Sequence, residues 1–214
     1  CAAGYTGSAS VCSACDAGKY KNASGSEACS ECLDNANSPP GSTAASACEC
    51  NVGYTGWACA ACSAGTYKDV NGSAACAACP DNSDSPSASS AASDCRCNAG
   101  FTSGPNVGNC SACGAGTFKN DSGGDPCSMC PSHSLSVSGS DAAIDCKCNV
   151  GFTGPDGGTC AACMTGTYKA TTGNGSCSPC PRGLTTSGQG SASCDTCAAG
   201  YTGSASVCSA CDAG

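Results

Sequence analysis

The sequence predicts a small disulfide-rich fold: a linear array of cysteine-stapled modules carrying short β-hairpins, with little or no helix. Three observations predict it. Cysteine fills 27 of 214 positions, a density that marks a disulfide scaffold. Only 23 residues are Val, Ile, Leu, Met, Phe, Tyr or Trp, against 36 Ala, so apolar burial alone cannot offset the entropy of ordering the chain and covalent closure must help. The cysteine pattern also recurs. Similar stretches begin at Cys1, Cys50, Cys97, Cys148 and Cys197, at spacings of 49, 47, 51 and 49 residues, which is the signature of a repeat architecture.

The first recurring element is clearest from Cys48 to Cys59, where C-x-C is followed by Asn51-Val52-Gly53-Tyr54-Thr55-Gly56 and a closing cysteine. Gly53 supplies a turn conformation that a Cβ would penalise. Tyr54 gives the small hairpin its one sizeable apolar side chain. Relatives run from Cys95 to Cys110, Cys146 to Cys160 and, with C-x-x-C, Cys194 to Cys208, and a truncated copy opens the chain at Cys1 to Cys12. The second element is C-x-x-G-x-aromatic-Lys, at Cys15 to Lys21, Cys62 to Lys68, Cys113 to Lys119 and Cys163 to Lys169. Apart from Trp57, every Tyr, Phe and Trp falls in one of these two slots. The rings are expected to be each module's miniature core. The third element is a Ser-, Thr-, Ala- and Pro-rich loop between the third and fourth cysteines, such as Ser38-Pro39-Pro40-Gly41-Ser42-Thr43. It has no apolar period of 3.6, so no helix is expected there. Short strands around the Gly-aromatic positions are the only regular structure expected.

Such cysteine density persists as disulfides in an oxidising compartment, which puts the chain outside the cell or on its surface. The net charge is −8 and the eight basic residues are scattered, which argues against nucleic acid as a partner. No run approaches the length of a membrane span, and no signal peptide is visible, so a mature fragment of a longer protein is expected. Residues 197–214 repeat residues 1–18 at all 18 positions, so a super-repeat of 196 residues restarts at Cys197. On that register Cys211 is the first cysteine of a further module.

These residues resemble a known family. C-x-x-G-x-aromatic-Lys, then C-x-x-C-Pro (Cys76 to Pro80, Cys127 to Pro131, Cys177 to Pro181), a Ser-rich loop and C-x-C-x-x-G-aromatic resemble the EGF-like segment of Eph receptor ectodomains, the ephrin-receptor-like repeat. Only Leu33 departs from the Pro. The resemblance implies EGF-like modules at 15–59, 62–110, 113–160 and 163–208, the closing hairpin of an earlier module at 1–12 and the start of another at 211–214. It also implies bonding of first to third, second to fourth and fifth to sixth cysteine. Carried over, that is Cys15–Cys32, Cys29–Cys48 and Cys50–Cys59; Cys62–Cys79, Cys76–Cys95 and Cys97–Cys110; Cys113–Cys130, Cys127–Cys146 and Cys148–Cys160; Cys163–Cys180, Cys177–Cys194 and Cys197–Cys208, with Cys1–Cys12 from the earlier module. A sequential pairing, Cys15 with Cys29 and Cys32 with Cys48, is the main rival among fifteen connectivities.

Catalysis would need a base or paired carboxylates beside a pocket, and no such group recurs, so no enzyme is expected. Zinc would need four thiolate or imidazole ligands, in a chain whose one histidine, His133, sits in a Ser-rich loop and is expected to be solvated. Acidic residues of the calcium-binding kind are missing before Cys15. No cofactor or metal is expected. Covalent glycans are. Asn22, Asn71, Asn120 and Asn174 each head an N-x-S sequon, one per loop between a module's first and second cysteines. The hairpin threonines Thr6, Thr55, Thr102, Thr153 and Thr202 occupy the slot where EGF-like modules can carry an O-linked sugar; β-propensity is the competing explanation. The reading is a stiff array serving as structural subunit of an extracellular glycoprotein fibre, such as a flagellar hair or cell-surface fibril. Its partners would be copies of itself or the continuing chain, head to tail. The alternative is a ligand-binding or adhesion ectodomain of a receptor.

Overall fold

The structure is a computed structural model that describes residues 1–8, 11–103, 109–204 and 207–211. They fall into two units, one formed chiefly by Cys1–Arg96 and the other chiefly by Cys110–Gly214 with the strand Phe101–Ser103. Regular structure among the described residues is two-stranded antiparallel ladders and single turns of 3-10 helix. The fold class is the small disulfide-rich one that the cysteine pattern predicts.

The hairpins form where the Gly-aromatic motif stands. Tyr5–Ser8 pairs with Val11–Ala14, and the ladders of Tyr54–Thr55 with Ala60–Ala61 and Phe152–Thr153 with Ala161–Ala162 follow the same plan. Gly53 has φ +80°, and a Cβ built on it would run into the carbonyl oxygen of Ala88. Its glycine is therefore required twice, by backbone conformation and by close approach.

Strands also form beyond the hairpins. Lys19–Tyr20 pairs with Ser30–Glu31, and Ala36–Asn37 pairs with Glu49–Cys50. The Ser/Ala-rich loop contains no α-helix but does wind one 3-10 turn in three modules, at Ala45–Ala47, Ala92–Asp94 and Ala143–Asp145. The Asp94 carboxylate accepts from the amides of Ser90 and Ala91, each at 2.9 Å, which satisfies donors at the start of its turn. The fourth module lacks this turn because its loop is shorter: Cys180 and Cys194 are 14 apart, against 16 for Cys32 and Cys48.

The bonding differs from the one the resemblance implies. Cysteines pair in sequence: Cys15–Cys29 and Cys32–Cys48, Cys62–Cys76 and Cys79–Cys95, Cys113–Cys127 and Cys130–Cys146, Cys163–Cys177 and Cys180–Cys194. These replace Cys15–Cys32, Cys29–Cys48, Cys62–Cys79, Cys76–Cys95, Cys113–Cys130, Cys127–Cys146, Cys163–Cys180 and Cys177–Cys194. The hairpin bridges Cys1–Cys12, Cys50–Cys59, Cys97–Cys110, Cys148–Cys160 and Cys197–Cys208 are as expected. One ladder, Lys19–Tyr20 with Ser30–Glu31, folds the chain back on itself after Cys15, and a second, Ala36–Asn37 with Glu49–Cys50, does so after Cys32. Each bridge staples its own fold-back, Cys15–Cys29 the first and Cys32–Cys48 the second. Cys211 is unpaired and exposed.

The core is cystine, which corrects the expectation of a ring-centred core. Cys15, Cys62, Cys113, Cys146, Cys148 and Cys163 are the largest fully buried side chains, whereas Tyr20, Tyr54, Tyr67 and Phe152 are only half-buried. Polar groups fill the remaining interior: Lys21, Lys68, Lys119 and Lys169, and the series Ser38, Ser85, Ser136 and Thr186. Each of the three serines donates its hydroxyl to a backbone carbonyl, of Lys19, Thr66 and Thr117 respectively. That satisfies the groups whose burial would otherwise be costly.

Candidate functional site

The feature that recurs with most constancy is a joint between each hairpin and the loop after the next cysteine. Around Gly53 it is made of three main-chain bonds, each 2.8 Å: Gly53 N to Lys68 O, Cys62 N to Gly53 O and Gly72 N to Cys50 O. The same three bonds recur around Gly4, Gly100 and Gly151. The loop between a module's first and second cysteines is thereby laid across the preceding hairpin.

In two modules the motif lysine also locks this joint from inside, whereas Lys68 and Lys169 bond only their own loop, at Val70 O and Gly173 O. Lys21 Nζ donates to Tyr5 O of the hairpin at 2.9 Å and to Gly25 O of the loop at 2.6 Å. Lys119 Nζ donates to Phe101 O, Asp121 O and Gly123 O at 2.9, 2.6 and 2.9 Å. An ammonium has three donors and no acceptor, so a ring of carbonyls satisfies it completely. Burial pushes the Lys169 ammonium below its ordinary value, with the Asp156 carboxylate acting against that shift. Asp156 itself takes a bond from Lys147 Nζ at 2.7 Å. Asp195, which accepts from Thr196 and Ser187, has its carboxyl below the ordinary range. The lysine is visible in the sequence as part of C-x-x-G-x-aromatic-Lys, but no sequence signal marks it as buried.

The hairpin threonines join the same joint. Thr6 Oγ1 donates to Glu27 O at 3.0 Å, Thr55 to Ala74 O at 2.6 Å, Thr102 to Asp125 O at 2.8 Å and Thr153 to Gly175 O at 2.9 Å. An O-linked sugar would remove the proton that makes each bond. Thr202 is exposed.

The four sequon asparagines, Asn22, Asn71, Asn120 and Asn174, are all exposed, as are the sequon serines Ser24, Ser73, Ser122 and Ser176. They share the loop but not a position in it. Asn71 immediately precedes the jointed Gly72 and Asn174 immediately follows Gly173, whereas Asn22 and Asn120 stand three residues before Gly25 and Gly123. His133 is exposed but not simply solvated: it stacks on Phe152 with centroids 4.1 Å apart and planes at 8°, at φ +63°. Asn35 and Asn82 adopt the same left-handed conformation at the equivalent place, which Asn tolerates better than most residues. Sequence inspection missed this series, although Asn-, Asn-, His- and Gly- two residues after Leu33, Pro80, Pro131 and Pro181 is the signal that could have found it. Among the described residues, no three His, Cys, Asp or Glu side chains gather as they would around a metal ion.

A hairpin locked to the module after it, repeated with a cystine core, defines a tandem series of small extracellular-type repeats. The family model described as tyrosine-protein kinase ephrin type A/B receptor-like matches residues 53–95 and 151–197, and the chain therefore carries two recognisable repeats of this kind. Each match begins at a hairpin glycine, Gly53 or Gly151, and so includes two of the joint's three bonds. No curated protein matches the chain. The repeats and the disulfide series point to an extracellular or secreted protein. No described helix is long and apolar enough to cross a membrane.

Proposed function

We propose that the chain is a structural subunit of an extracellular glycoprotein fibre, N-glycosylated at Asn22, Asn71, Asn120 and Asn174 and extended head to tail by its own continuing repeats. The observation that carries this reading is the identity of residues 197–214 with residues 1–18, taken with a joint that grips the module after each hairpin. Repeats that bind only their neighbours extend without closing. A ligand site would instead favour divergence, whereas the 18 residues that recur at 196 are unchanged. The exposure of all four sequons supports a sugar-coated array. We read the four bonded hairpin threonines as structural donors rather than sugar acceptors.

Electron microscopy of secreted chains carrying one, two and four 196-residue periods tests the fibre. The expected result is unbranched particles whose length rises in proportion to the number of periods. Compact particles of constant length overturn it in favour of a receptor ectodomain. Site-by-site mass analysis before and after deglycosylation tests the sugars, and unmodified asparagine at three or more sequons overturns that part.

A further inference from the structure

Trp57 is the chain's one tryptophan and is 99% exposed. It borders a cleft of about 750 Å³ whose walls also include Leu33, Glu31, Glu49 and, from the next module, Gly72 and Ser73. Those last two belong to the sequon Asn71-Gly72-Ser73. Asn71 borders an adjoining depression with Pro39, Pro40 and Ala47, and Glu49 lines both. The sequon is held firmly there. Gly72 N donates to Cys50 O at 2.8 Å, Lys68 Nζ to Val70 O at 2.6 Å and Thr55 Oγ1 to Ala74 O at 2.6 Å.

We propose that the N-linked glycan of Asn71 lies along this cleft and covers the indole of Trp57, bracing the first module against the second. This rests on the reading that Asn71 is glycosylated. An indole face is electron-rich, and a pyranose offers it a face of C–H groups. The sugar's hydroxyl and acetamido donors would meet the Glu31 and Glu49 carboxylates, which accept without donating when ionised. A second copy of this chain is the poorer occupant, because it would bring its own net charge of −8 to a cleft that already holds two carboxylates. A tethered sugar also acts at high effective concentration, so weak contacts suffice. The position is particular to this module: no other hairpin carries a Trp, and the place after Gly154 is taken by Pro155.

The single tryptophan makes the test direct. Secreted protein with mass-verified occupancy is compared with Asn71→Gln, Ser73→Ala and Asn174→Gln by acrylamide quenching of fluorescence. Ser73→Ala removes the sequon while leaving Asn71 in place, which guards against a local effect of the first substitution. The expected result is that the quenching constant rises about two-fold in both Asn71→Gln and Ser73→Ala, as a covered ring becomes exposed. Asn174→Gln should not change it. Enzymatic removal of glycans from the wild-type protein should reproduce the rise. Equal constants in all forms overturn the proposal while leaving the glycoprotein reading intact, as does occupancy at the other sequons with none at Asn71. Absence of sugar at all four overturns both. Protection that persists in Asn71→Gln and grows with protein concentration identifies a second copy as the occupant and also overturns it.

Discussion

Residues 1–18 and 197–214 are the same sequence, and their two hairpins show two different sides of one connector. Both hairpins close over 11 residues, with Tyr5 opposite Ala14 and Tyr201 opposite Ala210. The first hairpin is gripped by the module after it. Gly4 is buried, with the place of its missing Cβ already taken by Gly41 O, and Lys21 and Glu27 hold the carbonyl of Tyr5 and the hydroxyl of Thr6. The second shows its opposite face, toward the module before it. Ala198 N donates to Gly183 O at 2.9 Å, and Arg182 Nε donates to Tyr201 Oη at 3.3 Å. The hairpin at Phe152 shows both faces at once: its ring stacks on His133 behind, and Thr153 bonds Gly175 ahead. The hairpin is therefore a two-sided connector, and its sequence does not change with the side that is engaged.

Breaking a bridge on the engaged side should have the largest effect. Replacing Cys15 and Cys29 together by Ser opens the loop that holds Lys21 and should lower stability by about 3 kcal/mol. Peptide mapping without reduction should first recover Cys15 joined to Cys29; recovery of Cys15 joined to Cys32 would break the account of the fold.

Gly4→Ala and Gly56→Ala then separate conformation from contact, since nothing stands within 4 Å of the place of a Cβ on Gly56. Both glycines hold φ near +80°, which costs an alanine about 1–2 kcal/mol. Only Gly4→Ala also forces a side chain into the Gly41 backbone, adding about 1–3 kcal/mol. Hydrogen exchange of the Cys15 and Cys62 amides, which donate to Gly4 O and Gly53 O, reads the two openings separately. Equal effects would mean that the forward joint is not rigid.

Lys21→Met keeps the apolar stem and removes the ammonium, leaving two carbonyls without their donor. A loss of about 2 kcal/mol is expected, and a larger one for Lys119→Met, where three carbonyls are involved. Thr6→Val should cost about 1 kcal/mol. The smallest effect is with pH. Because Lys169 has a lowered value in the folded chain, the unfolded chain holds that proton more tightly. Stability should rise with pH between the folded value and 10.5. A carbon-detected NMR titration of Lys169 should show a midpoint below that of exposed lysine; a midpoint at or above it would mean that the carbonyl ring outweighs desolvation.

The sequence by itself determined the fold class, the repeat and the hairpins, because cysteine spacing, Gly-aromatic turns and scarce apolar residues are local or countable properties. It also placed the sequons in equivalent loops, and those loops are exposed. Tertiary structure decided the rest. Which cysteines pair depended on two successive fold-backs, each stapled by its own bridge, and spacing alone is compatible with several connectivities. Burial of Lys21 came with carbonyls gathered from its own loop and from a hairpin 16 residues away, a charge-satisfying geometry that no composition reveals. The cystine core followed from the same cause. With the interior filled by sulfur and bonded polar groups, the rings were left at its edge, and Trp57 outside it altogether.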